Sequence, residues 1–251
     1  VDAFLIEPRW LEVTEVTIRS PKVGRPVRVV VVADVQTDRP GDYESRALHR
    51  AMAQSPDLLL FAGDFIQLSR RSRTYTEELA ALNEMLIEVG MKAPLGAYAV
   101  QGNVDRSGAW TGVFEGVPAA PIISTQTLDL GPVALTGLSI GDAFATDPDI
   151  PETSEETFHI VMGHSPNFSL GTQEGDLLIA GHTHGGQVQL PLIGPLMTLS
   201  RVPRRWASGV TPLGDGRTLV VSRGVGMERG AAPQLRFLCR PQSVVIEIVP
   251  G

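Results

Sequence analysis

Five short apolar runs between residues 27 and 180 are each followed closely by polar side chains. The runs are rich in Val, Ile, Leu and Ala and span Val27–Val32, 58–62, Ala97–Val100, 160–162 and Leu177–Ala180. Runs of this length and composition are typical of strands buried on both faces of a sheet. Ligands of open α/β sheets bind beyond the carboxyl ends of the strands. We therefore expect the polar residues that follow the runs to meet at one edge.

Helical patterns separate the early runs. The sequence Thr74-Tyr75-Thr76-Glu77 has the form of a capping box, and apolar residues at helical spacing follow it until Gly90, a plausible stop. A second helix is predicted over residues 43–54, and later strands over 133–138, 218–222 and 244–249. Strands that alternate with helices early and follow one another closely late predict a mixed α/β layered fold. We expect one domain over residues 1–251.

Charge and cysteine content restrict the classes of partner and compartment. The net charge of −7 argues against general binding to nucleic-acid backbones, which requires clustered cations. The single cysteine permits no intrachain disulfide, which is compatible with a reducing compartment. No apolar run reaches the roughly 18 residues that span a bilayer, and no signal peptide is visible. We expect a cytoplasmic protein, with membrane association as the alternative, because the start at Val1 leaves room for a removed leader or anchor.

The polar residues after the runs have the chemistry of metal ligands. Carboxylate, amide and imidazole donors without a thiolate suit Mn²⁺, Fe or Zn²⁺. Seven donors exceed what one tetrahedral ion needs, and they suit two ions about 3.5–4 Å apart that share a carboxylate. The candidate ligands are Asp34, Gln36, Asp64, Asn103, His164, His182 and His184.

The order of these motifs resembles that of the calcineurin-like metallophosphoesterases. The block 222–226 and the pair Arg240-Pro241 are similar in particular to a bacterial membrane-associated branch. The family pattern is D-x-H, G-D, G-N-H-D/E, G-H and G-H-x-H. The corresponding segments here are 34–36, 63–64, 102–105, 163–164 and 181–184. The block GHTHGGQ at 181–187 is the most specific of them, and the resemblance extends over roughly residues 27–190.

The resemblance implies a fold, a metal site and a reaction. The fold would be a four-layer α/β/β/α sandwich. Asp34, Gln36 and His184 would hold one metal ion, Asn103, His164 and His182 the other, and Asp64 would bridge them. Asp64, Asn103 and His182 would be the catalytic residues. The family reaction is hydrolysis of a phosphoester by a hydroxide that bridges two divalent metal ions.

Two positions depart from the family pattern. Gln36 replaces a histidine, and its amide oxygen is a neutral, harder donor that favours Mn²⁺ or Mg²⁺ over Zn²⁺ or Fe. Val104 replaces a histidine that protonates the leaving oxygen or stabilises the phosphoryl group. General acid catalysis is worth about 10²–10⁴ in rate, and its loss harms poor leaving groups most. We therefore expect a phosphodiesterase or pyrophosphatase, with a nucleotide diphosphate as one substrate class, rather than an alkyl phosphomonoesterase. The resemblance to the membrane-associated branch adds a lipid-linked nucleotide as the other class.

A non-catalytic protein-binding module of the same fold is the alternative function. The absence of histidine at positions 36 and 104 favours it, whereas the other filled ligand positions favour the enzyme.

Two interpretations are also open for residues 188–206, in which apolar residues precede Arg201, Arg204, Arg205 and Trp206. The segment is a core-packing loop, which we slightly favour, or a peripheral contact with a membrane or a lipid-linked phosphate. Arg106 and Arg223 follow the site loops and contact either a phosphate or a surface carboxylate.

Overall fold

Two six-stranded sheets form the centre of the computed structural model, which describes residues 2–68, 72–171, 174–214, 216–230 and 232–251. Strands are numbered in chain order. The first sheet contains, in spatial order, Glu12–Ser20 (β1), Gln242–Pro250 (β14), Val27–Val32 (β2), Leu58–Phe61 (β3), Ala97–Val100 (β4) and Ala120–Ile122 (β5). The second contains Gly209–Gly214 (β12), Arg217–Val221 (β13), Leu177–Ala180 (β9), His159–Met162 (β8), Ala134–Gly137 (β7) and Gln126–Asp129 (β6).

Both sheets have a parallel centre. Strands β2 to β5 run parallel in the first sheet, and β13, β9, β8 and β7 run parallel in the second. Antiparallel pairs join β14 to β2, β12 to β13 and β6 to β7. A separate hairpin pairs Gln189–Leu190 (β10) with Gly194–Pro195 (β11). The carboxyl ends of the parallel strands therefore supply the loops on which the predicted ligands lie.

In the described part of the chain, three α-helices accompany the sheets, at Asp42–Met52 (α1), Tyr75–Val89 (α2) and Ile140–Phe144 (α3). The two helices predicted from the sequence are present, and α2 ends at Gly90 in the left-handed conformation (φ 72°) that glycine adopts easily. The predicted capping box at the start of α2 is wrong, because Thr74 makes no side-chain hydrogen bond to the helix. Instead, Glu44 in the first turn of α1 accepts a hydrogen bond from the Gly41 N–H.

Successive side chains of a strand face opposite sides of its sheet, and this alternation produces the four layers. In β3, Leu58 and Leu60 face the second sheet and pack with Ile160 and Ile179. The intervening residues of β3 face the other way, toward α1 and α2. The outer face of the second sheet packs against α3 and the short helix Pro166–Leu170. The predicted α/β/β/α sandwich is thus confirmed, with one apolar core between the sheets and one on each outer face.

Hydrogen bonds between loops fix the edge where the strands end. The Asp34 N–H donates to the carbonyl of Gly63, and the Gln36 N–H donates to the carbonyl of Asp64. On the second sheet the Gly181 N–H donates to the carbonyl of His164. Each loop is therefore held by its neighbour rather than by its own strand alone.

The segment 188–206 packs only partly, with Val202 buried and Trp206 against the outer core of the second sheet, where we expected a core-packing loop with a solvated edge. Leu192, Ile193, Leu196, Met197 and Leu199 are all exposed. Within the described ranges, no helix has the length and apolar character needed to cross a membrane.

The buried interface between the sheets predicts a large difference between two isoleucines. Ile160 is completely buried between the sheets, whereas Ile123 is 65% exposed. We expect Ile160→Ala to lower the free energy of unfolding by about 2–5 kcal/mol, because it opens a cavity in a close-packed core. Ile123→Ala should change it by less than about 0.5 kcal/mol. Urea titration followed by circular dichroism measures both, and equal effects would contradict this packing.

Candidate metal centre

The structure brings all seven predicted residues to one edge, each in the loop that follows a strand. Asp34 and Gln36 follow β2, Asp64 follows β3, Asn103 follows β4, His164 follows β8, and His182 and His184 follow β9. Asn103 is exposed and the other six are buried. The donor atoms form two groups, and within each group all atoms lie within 4.8 Å of one another. One group comes from Asp34, Asp64 and His184, and the other comes from Asp64, His164 and His182.

Unusual backbone geometry directs these side chains toward one another. Five of the seven residues have a positive φ, a conformation that few residues other than glycine adopt and that costs about 1–3 kcal/mol at each position. They are Asp34, Gln36, Asp64, His182 and His184, with φ between 37° and 68°. Such strain persists only where the surrounding structure imposes it, and it is concentrated here in the loops of one edge.

A glycine is required where two of these loops touch. A Cβ atom on Gly102 would lie 2.0 Å from Oδ1 of Asp64, closer than two unbonded atoms can approach. Gly181 has the same relation to Asp34, whose Oδ2 would lie 2.6 Å from the added Cβ. These two glycines allow the carboxylates to sit directly against a neighbouring loop.

Two imidazoles are held in the orientation of a metal ligand. His164 Nδ1 lies 2.7 Å from the carbonyl oxygen of Ala62, and His182 Nε2 lies 3.1 Å from that of Leu199. A carbonyl oxygen can only accept, so each of these nitrogens carries the proton. The other nitrogen of a neutral ring then presents its lone pair. For His164 that nitrogen, Nε2, lies 3.3 Å from Asp64 Oδ2 and 3.0 Å from Asn103 Oδ1. A proton or a cation must lie between these atoms.

Three buried polar atoms at this edge have no hydrogen-bond partner among the described residues. They are both ring nitrogens of His184 and Oε1 of Gln36. Buried polar atoms are rarely left unpaired in native proteins, because the loss of hydration is costly. Imidazole nitrogen and amide oxygen both bind divalent cations, so the donor set fits the metal ions that the sequence predicts.

The buried ionisable groups at this edge shift one another's pKa values. Burial, reinforced by the neighbouring Asp64 carboxylate, raises the pKa of Asp34 to about 7. Burial alone would raise the pKa of Asp64 as well, but the adjacent His164 lowers it. Burial alone would lower the pKa of His164, and the two carboxylates raise it to about 9. His182, which is buried beside His164, has its pKa lowered to about 4. Buried carboxylates crowded in this way are stabilised by cations.

Asp105 joins two of the loops without pointing at the donor groups. Its carboxylate accepts hydrogen bonds from the backbone N–H groups of Asp64 (3.0 Å), Phe65 (2.8 Å) and Gly102 (2.8 Å). The Val104 N–H in turn donates to Asp64 Oδ1 at 2.9 Å. The loops after β3 and β4 are therefore connected through one buried carboxylate and through Asp64 itself.

Glu228 is a residue of the site that sequence reasoning missed. Its Oε2 accepts a hydrogen bond from Gln36 Nε2 at 2.9 Å, and its Oε1 accepts one from Gln67 Nε2 at 2.9 Å. A carboxylate cannot donate, so the amide nitrogen of Gln36 must face Glu228 and the amide oxygen must face away. The only sequence signal was an acidic residue two positions after Gly226, at the end of the block 222–226.

Arg236 is a second missed residue, and it supports the loop behind Asp34. The side chain is completely buried and its guanidinium donates to the carbonyls of Arg223, Gly226 and Cys239. Gly226 N–H donates to the carbonyl of Asp34 at 2.6 Å. Burial lowers the pKa of Arg236 from its ordinary value. Nothing in the sequence distinguishes this arginine from the solvated ones.

The two arginines singled out from the sequence have different positions. Arg223 forms an ion pair with Glu12 and is thus engaged by a carboxylate. Arg106 stacks on the ring of Tyr75, with its guanidinium carbon 3.8 Å from the ring centroid. It also lines a cavity of about 880 Å³ together with Asn103, Val104 and Phe144. Phe144 contacts the centre itself, because its ring lies 4.9 Å from that of His182.

The connections of Asp105 predict a large structural effect of removing it. We expect Asp105→Ala to lower the free energy of unfolding by about 3 kcal/mol or more, because three buried N–H groups lose a charged acceptor. Asp147→Ala, at an exposed carboxylate, is the matched control. Denaturant unfolding measures the difference, and equal stability of the two variants would show that Asp105 does not hold these loops together.

Known proteins resemble this chain over nearly its full length. The chain is 29% identical to the metallophosphoesterase YkuE of Bacillus subtilis over 97% of this chain and 87% of that protein. It is 28% identical to the phosphodiesterase YaeI of Escherichia coli, over 97% of this chain and 90% of that one. It is 24% identical to the UDP-2,3-diacylglucosamine pyrophosphatase LpxG of Chlamydia muridarum over 74% of this chain and 73% of that one.

The family model described as calcineurin-like phosphoesterase matches residues 27–186, which include the seven residues gathered at the sheet edge. Because that match covers more than half of the sequence, this chain belongs to the calcineurin-like phosphoesterase family.

Proposed function

We propose that this protein hydrolyses a phosphodiester or pyrophosphate bond with two divalent metal ions. The observation that carries the proposal is that Asp64 belongs to both groups of donor atoms. A carboxylate shared by two groups of ligands is the arrangement expected of a bridging ligand between two ions. Family membership supports a hydrolase of phosphoesters, and the geometry supports the two-ion form of that site.

The donors divide into two sets around Asp64. Asp34 and His184 form one group with it, and the unpaired Oε1 of Gln36 adds a third donor to that set. His164 and His182 form the other group with Asp64. Asn103 completes the second set, because its Oδ1 lies 3.0 Å from the ring nitrogen of His164 that carries the lone pair.

Bound divalent ions would polarise the phosphoryl oxygens and lower the pKa of a water that attacks phosphorus. The protein itself contributes the orientation of the donor atoms. Backbone carbonyls of Ala62 and Leu199 hold His164 and His182 with one nitrogen available to a ligand. Glu228 does the same for the oxygen of Gln36. Two of these outer contacts are backbone carbonyls, and Glu228 is itself held by Gln67 and the Gly230 N–H, so the donors are preorganised.

Position 104 supports a substrate with a good leaving group. Val104 lines the cavity beside Asn103, and a valine side chain can neither donate a proton nor stabilise charge. Arg106 in the same cavity carries a permanent charge, so it can bind an anionic group of the substrate but does not act as an acid. An acidic leaving group, such as a nucleotide released from a pyrophosphate, departs without protonation.

The names of the relatives agree with this class of substrate. YaeI is named a phosphodiesterase and LpxG a pyrophosphatase that acts on UDP-2,3-diacylglucosamine, a lipid-linked nucleotide. We extend to this chain a substrate that is a nucleotide diphosphate or is lipid-linked. We also propose Mn²⁺ as the preferred ion, because an amide oxygen at position 36 is a harder donor than imidazole.

The competing function is a protein-binding module that retains the fold without turnover. It would not require the unpaired donors of His184 and Gln36 to be oriented toward one edge, nor the strained backbone of five ligand residues. Metal binding alone does not distinguish the two functions, since a scaffold also binds ions. Turnover does.

The first prediction from this function concerns metal-restored turnover. Protein stripped with a chelator should hydrolyse bis(4-nitrophenyl) phosphate once Mn²⁺ is added, and more slowly with Zn²⁺. Asp64→Ala should lower the rate by more than about a hundredfold, because both ions lose a shared ligand. Asp149→Ala, at an exposed carboxylate, should retain the rate. Release of 4-nitrophenolate at saturating metal is the measurement.

A comparison of substrates with different leaving groups tests the role assigned to Val104. We expect the ratio of kcat/KM between an aryl diester and a simple alkyl phosphomonoester to favour the diester strongly. Comparable values for both would contradict the role assigned to Val104. Absence of turnover with every metal and every pyrophosphate substrate would favour the protein-binding module.

A second prediction concerns Glu228. In Glu228→Gln the amide at 228 offers a donor to Gln36, so the Gln36 side chain can turn its nitrogen toward the metal ions. We expect Mn²⁺ affinity, measured by isothermal titration calorimetry, to fall by about 10–100-fold. Glu88→Gln, on the exposed surface of α2, is the control. An unchanged affinity in a folded Glu228→Gln protein would remove Glu228 from the site.

A further inference from the structure

Exposed apolar side chains are concentrated in three short segments. Of the fifteen large apolar residues that are exposed among the described residues, eleven lie in these segments. Four are within residues 4–10, five within 192–199 and two at 237–238. We call the surface formed by residues 4–10, 192–206 and 237–240 the apolar face. Scattered exposed apolar residues need no explanation, whereas a concentration of this kind marks an interaction site.

The three segments are joined by hydrogen bonds, so they are neighbours in space. The Gln189 N–H, at the base of the β10–β11 hairpin, donates to the Phe237 carbonyl at 2.9 Å. The Arg236 N–H, just before the segment 237–240, donates to the carbonyl of Ala3, just before the segment 4–10, also at 2.9 Å. The backbones of the three segments are therefore adjacent at these points.

Three leucines of the apolar face have an uncommon backbone conformation. Leu192, Leu199 and Leu238 have φ of 68°, 50° and 50°, where glycine or asparagine is usual. They are 109%, 48% and 56% exposed. Turns of this conformation usually have a small or polar residue at these positions. A leucine there is exposed, so it adds little buried apolar area. A leucine at an exposed left-handed turn is explained by a contact outside the fold.

The positive charge of the neighbouring residues indicates the kind of partner. Residues 188–206 contain Arg201, Arg204 and Arg205 and no acidic residue, although the chain has a net charge of −7. In the part of the chain that the structure describes, none of these three arginines forms an ion pair. The ring of the exposed Trp10 is covered on one side by Arg240, whose guanidinium carbon is 4.1 Å from the centroid.

We infer that the apolar face docks on the surface of an anionic lipid bilayer. Apolar side chains at the tips of turns, with arginines and tryptophan beside them, combine insertion among acyl chains with attraction to anionic headgroups. The fully exposed Leu192 stands at the tip of a two-stranded hairpin, a narrow projection that can enter a deformable lipid phase. A predominantly anionic protein needs such a local cluster of cations to approach an anionic membrane.

The apolar face also borders the metal centre. The carbonyl of Leu199 contacts His182 Nε2 at 3.1 Å. Phe144, which lines the large cavity beside Asn103, also lines a second cavity of about 520 Å³ with Leu196, Met197 and Arg201. Docking therefore places the centre close to the headgroup layer. Docking requires only the exposed residues of the apolar face and no turnover.

Sedimentation with vesicles tests the proposal without metal or substrate. In a chelator-containing buffer, the protein should sediment with vesicles of phosphatidylcholine and phosphatidylglycerol and less with phosphatidylcholine alone. Binding should weaken as salt rises, because the attraction is partly electrostatic. Leu192→Glu combined with Ile193→Glu should abolish sedimentation. Arg204→Ala combined with Arg205→Ala should lower the partition coefficient on anionic vesicles by roughly thirtyfold.

The matched control places the same charges on exposed isoleucines elsewhere. Ile87→Glu combined with Ile123→Glu alters residues that are 50% and 65% exposed and lie outside the apolar face. It should leave vesicle binding unchanged. Equal binding by all variants, or no binding by the unaltered protein, would overturn the proposal. So would a concentration-dependent dimer, detected by light scattering without lipid, that Leu192→Glu with Ile193→Glu dissociates, because the face would then be an interface between two copies.

Discussion

Two carboxylates, Asp34 and Asp64, are buried at the same sheet edge, and the surrounding structure compensates for their charge. His164 lies between them, with Nδ1 3.9 Å from Asp34 Oδ1 and Nε2 3.3 Å from Asp64 Oδ2. Backbone N–H groups add to this, since His182 donates to Asp34 and Val104 donates to Asp64. Burying like charges is costly unless cations or hydrogen-bond donors accompany them. The loops of both sheets are therefore organised around one electrostatic requirement.

Support for the site comes from residues that carry no chemistry of their own. Asp105 ties the loops after β3 and β4 together, and Arg236 holds the chain that lies behind Asp34. Both place a charge in the interior, and the hydrogen bonds of both go mainly to backbone groups. A buried charge that is satisfied by several backbone partners fixes their relative positions strongly. That rigidity is what permits five of the seven predicted ligands to hold a strained backbone conformation.

The sheet edge and the apolar face share a boundary at residues 196–201. One side of this segment contacts the imidazole of His182 through Leu199, and the other presents apolar side chains and arginines to the surroundings. A substrate carried in a lipid surface could thus present its phosphate to the metal centre without leaving that surface. The proposed reaction and the proposed docking site are in this way compatible, although each stands on different atoms.

The sequence by itself determined the central strands, two of the helices and the layered α/β class, and it singled out the seven residues that the structure brings to one sheet edge. It could do so because buried parallel strands are continuous apolar runs, and because the ligands follow them directly. It did not identify the edge strand β1, whose alternating residues Glu12–Ser20 form a weaker pattern. Only the tertiary structure decided that Glu228 and Arg236 support the loops at this edge and that five apolar residues between 192 and 199 are exposed. Those facts depend on contacts between parts of the chain that are far apart in the sequence. The residues that flank a buried side chain in the sequence do not differ from those that flank a solvated one.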